Sequence, residues 1–75
     1  MAMNYAYAYA EVEDVTGLCI GVMSSSNPNC AGPTSEGTTY VSIPTYDEDY
    51  VFKYYINGNW YEDEAGTIPW QSSLL

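Results

Sequence analysis

Asn57-Gly58 sits between two aromatic-rich runs, Val51-Phe-Lys-Tyr-Tyr-Ile56 and Asn59-Trp-Tyr-Glu-Asp63, and nothing else in the chain constrains the fold as tightly. A two-residue turn between right-twisted antiparallel strands needs positive φ at both central positions, which Asn and Gly tolerate. A hairpin follows, with Ile56 opposite Asn59, Tyr55 opposite Trp60, Tyr54 opposite Tyr61 and Lys53 opposite Glu62. A three-residue loop, Asn57 to Asn59, would instead set Ile56 against Trp60. The aromatic pairs should dominate the hairpin's stability, since an exposed Lys53–Glu62 pair contributes at most about 1 kcal/mol.

The N-terminal segment 4–13 alternates strictly, with Tyr5, Tyr7, Tyr9 and Glu11 on one face and Ala6, Ala8, Ala10 and Val12 on the other. Such a strand lets another layer approach its Ala face closely. Its Tyr ladder serves either cross-strand packing or an interface. Asp14-Val-Thr-Gly17 then reads as a turn, and Leu18-Cys-Ile-Gly-Val-Met23 as the second strand of a hairpin. Leu18, Ile20 and Val22 share a face and are the first choices for core, while Gly21 signals a bulge or a close backbone approach.

From Ser24 to Thr38 the chain is rich in turn formers and poor in core residues, so a long loop is expected, either a contact arm or a solvated connection. Thr39-Tyr-Val-Ser-Ile43 restores alternation as a third strand, ended by Pro44. Thr45-Tyr-Asp-Glu-Asp-Tyr50 suits a short acidic turn. Asp47 and Asp49 lack the spacing of a calcium loop. Beyond Glu64, the residues Ile68, Trp70, Leu74 and Leu75 lie on a segment broken by Gly66 and Pro69. That tail either folds back across the sheet or docks into a neighbour as an extended arm.

The expected fold is all-β: a single domain, residues 1–75, built as a small antiparallel β-meander of about five strands with a long loop and an extended C-terminal arm. The strands are 4–13, 18–24, 39–43, 51–56 and 59–63, with an acidic turn at 45–50, a β core over 4–63 and the arm over 64–75. A chain of 75 residues has a thin core and usually draws on a disulfide, a metal or an interface. With no His and only two Cys, no structural zinc site can form, and neither a metal nor a cofactor is expected. A disulfide between Cys19 and Cys30 would contribute about 2–3 kcal/mol. Met1-Ala2-Met3-Asn4 lacks the basic region that opens a signal peptide, so a reducing compartment and two free thiols are the expectation. Cys19 is then a small core residue in a strand and Cys30 a loop residue.

Lys53 is the single cation against ten carboxylates, and the net charge is −9. Contacts to nucleic-acid phosphate draw on Lys and Arg, and an anionic membrane would repel the chain, so neither partner is expected. Catalysis is not expected either: His and Arg are absent, a Cys nucleophile would have only Lys53 to activate it, and the acids cluster as Glu11-Glu13-Asp14, Asp47-Glu48-Asp49 and Glu62-Asp63-Glu64. What remains is surface. Nine Tyr, two Trp and one Phe exceed what a thin core holds, and the interface candidates are Tyr5, Tyr7, Tyr9, Trp60, Ile68, Trp70, Leu74 and Leu75.

Tyr40-Val-Ser-Ile-Pro-Thr-Tyr-Asp-Glu-Asp-Tyr50, followed by Lys53-Tyr54-Tyr55 and Gly58-Asn59-Trp60, with Tyr5-Ala6 and Cys19-Ile-Gly-Val22 upstream, resembles small β-domains of bacteriophage tail and head proteins. The resemblance covers most of residues 4–63 and brings no catalytic residues with it. It implies a non-enzymatic virion structural protein, made in the host cytoplasm, that decorates or cements a capsid or acts as a tail accessory. Its partners would be other virion proteins, in a homo-oligomer or a larger assembly. The alternative is an acidic phage-encoded inhibitor that mimics nucleic acid in the basic groove of a host enzyme. Clustering of the acids at strand ends argues against that reading.

Overall fold

A computed structural model describes residues 7–75. Tyr5, and with it residues 4–6 of the expected first strand, lies outside the described residues. Strand β1, Tyr7–Glu13, is followed by β2, Cys19–Ser25, β3, Gly32–Pro33, β4, Thr38–Ile43, a 3-10 turn at Glu48–Tyr50, β5, Tyr54–Ile56, and β6, Asn59–Tyr61. The all-β antiparallel class is as expected, but the order of strands is not that of a plain meander. In the four-stranded sheet the order is β2-β1-β4-β3, and β5 and β6 form a separate pair.

β1 is central because it can be. It carries no Pro or Gly, so both backbone edges can pair, with β2 from Tyr7↔Ser25 to Val12↔Cys19 and with β4 from Ala8↔Ile43 to Glu13↔Thr38. The chain leaving β2 crosses to the far side of the sheet, lays down β3 against Thr39 and Tyr40, and returns as β4 beside β1. Part of the expected 24–38 loop is therefore sheet. The rest closes over Tyr9, which is only 1% exposed, with its hydroxyl donating to the Asn27 carbonyl at 2.8 Å and accepting from the Cys30 N–H at 3.4 Å.

The register between β1 and β2 shifts once: Glu11 faces Gly21 while Val12 faces Cys19, so Ile20 is the extra residue of a bulge. This corrects the expected core face of the second strand. Directly opposed residues share a face, so Val12 draws Cys19, and Ala10 draws Val22, into the same layer although these two are three apart in sequence. Cys19 becomes fully buried, Leu18 is half-buried, and Ile20 turns outward at 44% exposure. The bulge was legible in Gly21, but no backbone approaches that glycine closely: a Cβ there would meet nothing within 4 Å.

One face of the sheet, with Ala8, Ala10, Val12, Cys19 and Ile43, forms the core with Tyr50, and Val22, Val41, Tyr55, Trp60 and Trp70 pack against it. The small Ala side chains leave room for large rings. Tyr50 meets Trp60 and Trp70 edge-on, at centroid distances of 4.9 and 4.8 Å, and Tyr55 lies 5.0 Å from Trp60. Each such pair adds about 0.5–1.5 kcal/mol to the burial of the rings. The molecule measures 16 Å along its thinnest axis, which leaves space for one apolar layer and no more.

The hairpin has the expected register, Tyr54↔Tyr61, Tyr55↔Trp60 and Ile56↔Asn59, with φ of 52° at Asn57 and 85° at Gly58. Its strands are shorter than 51–56 and 59–63, and Lys53 does not face Glu62. Lys53 instead holds its ammonium 5.0 Å from the centroid of the Trp70 ring, while the Glu62 N–H donates to the Ile68 carbonyl. The tail folds back along β6, with Tyr61 bridged to Pro69 and the Trp70 N–H on the Trp60 carbonyl at 3.0 Å.

Candidate interaction surfaces

Asp47 joins three parts of the chain. As the N-cap of the 3-10 turn its Oδ1 accepts from the Asp49 N–H at 2.9 Å, while its Oδ2 accepts from the Ser72 hydroxyl. Both side chains are buried, and Ser72 also accepts from the Leu74 N–H. The Ser72 hydrogen bond, followed by the Asp49 N–H, holds the Asp47 carboxyl below its ordinary value of 3.8. The C-terminal segment is thereby latched onto the turn that carries Tyr50.

Four other acids are also engaged. Glu11 accepts from the Thr38 hydroxyl at 2.8 Å and from Tyr40 at 3.5 Å, and its charge is the main reason that Tyr40 titrates above 10.0. Glu13 accepts from Thr16, and Asp14 from Thr39 at 2.6 Å. Asp63 accepts from the Thr67 hydroxyl and from the Thr67 and Ile68 N–H groups, and these bonds, led by the Thr67 side chain, lower its pKa. Among the described residues, no group of three or more His, Cys, Asp or Glu is placed to hold a metal ion.

Cys19 and Cys30 are free thiols, the first in the core layer and the second in the crossing loop beside Ser25. Burial pushes the Cys19 thiol above 9.0, with the Glu11 charge adding to the shift, so it stays protonated and poorly nucleophilic. Burial likewise raises Tyr50 above 10.0. An open cleft of ≈ 390 Å³ lies where the hairpin tip meets the end of the sheet, floored by Val12, Val41, Tyr55 and Ile56 and rimmed by Glu13 and Asp14.

The expected interface residues divide into two sets. Tyr9, Trp60 and Trp70 are used inside the fold: Tyr9 under the crossing loop, the two indoles around Tyr50. Tyr7, Ile68, Leu74 and Leu75 are exposed. Four exposed large apolar residues, Val15, Ile20, Tyr46 and Phe52, were absent from the sequence expectation. Phe52 is 73% exposed at φ of 74°, and its N–H donates to the carbonyl of Cys19, the residue before Ile20. Ile20 was assigned to the core because strict alternation was assumed, and Phe52 was read as part of a strand. The signal that Ile20 would leave the ladder was Gly21, and Phe52 had no sequence signal.

No helix among the described residues is long and apolar enough to cross a membrane. No family model, curated protein or solved structure matches the chain.

Proposed function

We propose that this protein is a non-enzymatic structural subunit of a phage virion, a capsid decoration or cement protein or a tail-associated accessory, that holds other virion proteins through apolar side chains on a thin β scaffold. The observation that carries the reading is Phe52. A bulky aromatic residue at positive φ is strained, and here the ring stands 73% exposed, on backbone that bonds to the Cys19 carbonyl, instead of filling the core. Strain and exposed apolar area in one place are the mark of a contact surface. The phage setting rests on the resemblance of 40–50, 53–55 and 58–60 and on the aromatic excess.

The acidic-mimic reading draws on the charge of −9 alone. Glu11, Glu13, Asp14, Asp47 and Asp63 accept internal hydrogen bonds, which leaves half of the ten carboxylates unavailable as an unencumbered phosphate-like face. Mass spectrometry of purified virions tests the structural reading, with the chain expected at a fixed copy number relative to the major capsid protein. Its absence from particles, together with salt-sensitive binding to a nuclease or polymerase, would overturn that reading in favour of the mimic.

A further inference from the structure

Sheet edges invite pairing, and among the described residues this fold closes several of those it has. The free side of β6 is taken by Ile68–Trp70, and that of β5 by the segment before β2, through Tyr55 N–H to the Gly17 carbonyl and the Leu18↔Tyr54 bridge. β3, the outer strand at one end of the large sheet, is two residues long and contains Pro33. β2 is the outer strand at the other end. Its first residue is covered, because Cys19 donates to the Lys53 carbonyl and accepts from the Phe52 N–H, both at 2.8 Å. From Val22 to Ser25, no strand lies beyond it among the described residues. Past the bulge at Ile20, that stretch carries none of the other usual edge protections: no Lys, no Pro and no inward charge.

We propose that two copies of this chain pair antiparallel through the outer edge of β2 at Val22–Ser25, about a two-fold axis beside Met23, forming one continuous eight-stranded sheet. The phase of the strand carries the register. Cys19 turns both backbone groups away from β1, the bulge opposite Glu11 turns inward, and alternation then points Val22 and Ser24 outward. Two outward residues separated by one are self-complementary, so Val22 of each copy faces Ser24 of the other and both exchange N–H···O bonds. The same register sets Ser26 of the second copy against the exposed Ile20.

Charge selects the occupant. Two chains of net charge −9 repel wherever carboxylates meet, yet no charged residue occurs from Val15 to Ser35, a run that contains all of β2 and the turn after it. This is the longest charge-free stretch of the sequence, and it lies along an unpaired outer edge of the large sheet. The inference deepens the assembly reading above by naming a surface and a partner, and it stands or falls separately from it.

Analytical ultracentrifugation of the purified chain over a wide concentration range tests the pairing. The mass is expected to rise from 8.3 kDa to twice that value. Ser24→Pro removes an outward N–H from each copy and leaves the inward ladder to β1 intact, so it should weaken association by about 10- to 100-fold while the circular dichroism spectrum keeps its β signature. Met23→Glu sets two carboxylates side by side across the axis and should weaken it in a salt-dependent way. Met23→Cys should cross-link copies on oxidation, because residues facing across such an axis lie within disulfide reach, whereas Val15→Cys, on the exposed turn, should not. A chain that stays monomeric throughout, or a dimer that is indifferent to both edge variants and not joined through Met23→Cys, overturns the proposal. A monomer found in virions would sink the pairing and leave the structural reading standing.

Discussion

At Gly17 the backbone has no alternative. Its φ is 79°, and a Cβ built on it would lie 2.6 Å from the Tyr55 carbonyl oxygen, the same oxygen-bearing strand whose N–H bonds to Gly17. Gly17→Ala therefore meets a strained backbone and a clash with main chain together, and it should lower Tm by roughly 5–20 °C in thermal unfolding followed by circular dichroism. A drop of less than a few degrees would mean that the junction between β5 and the start of β2 is looser than described. Phe52 predicts the opposite. Asn tolerates positive φ, so Phe52→Asn should keep or raise stability, by up to about 1 kcal/mol, while reducing attachment to particles. If the variant melts markedly lower instead, the ring supports the fold, and the contact role assigned to it is lost.

The two hairpin-forming signals in the chain had different fates for one reason. Asn57-Gly58 favours positive φ locally, so the hairpin and, with the two-residue loop, all three cross-strand pairs of β5 and β6 were legible, and the structure decides against the three-residue alternative. The first hairpin was legible as a hairpin, but its buried face depended on a bulge whose position is set by the partner strand. Alternation read from Leu18, Ile20 and Val22 alone could only choose the wrong side for Ile20. The placement of β4 beside β1 had no local signal either, because any alternating strand fits any free edge. Nor did the Asp47–Ser72 latch, whose partners are 25 residues apart. Its test is Ser72→Ala: with its first-ranking hydrogen bond gone, Asp47 should titrate closer to its ordinary value by carboxyl NMR. The amides of Trp70, Leu74 and Leu75 should exchange faster, reporting release of the tail. Unchanged exchange would mean that the Trp70–Tyr50 contact and the backbone bonds to β6 hold the segment without the latch.

For the molecule as a whole, two electrostatic effects of opposite sign act as pH falls. Nine excess negative charges at pH 7 repel one another in a slab 16 Å thick, and this repulsion fades toward the pI near 4.1. Against it, Asp47 and Asp63 titrate below 3.8 because their charged forms accept hydrogen bonds in the fold. Depressed folded pKa values mean that this stability is fully present above 3.8 and is lost as pH falls through the folded values. Tyr50 works at the other end: burial raises it above 10.0, so its contribution is present below that pH and is lost as pH rises through the folded value. Tm should therefore rise from pH 7 toward about pH 4–5, then fall steeply in more acid solution, with a second decline in alkali. Added salt separates the causes. Screening should raise Tm at pH 7, where repulsion is general, and should have little effect near the pI, where the remaining terms are short hydrogen bonds that salt does not reach. Melting curves at low and high NaCl across this range decide it. A salt-independent Tm at pH 7 would show that the internal hydrogen bonds of Glu11, Glu13, Asp14, Asp47 and Asp63 already offset the repulsion, and that the charge of −9 governs solubility and not stability.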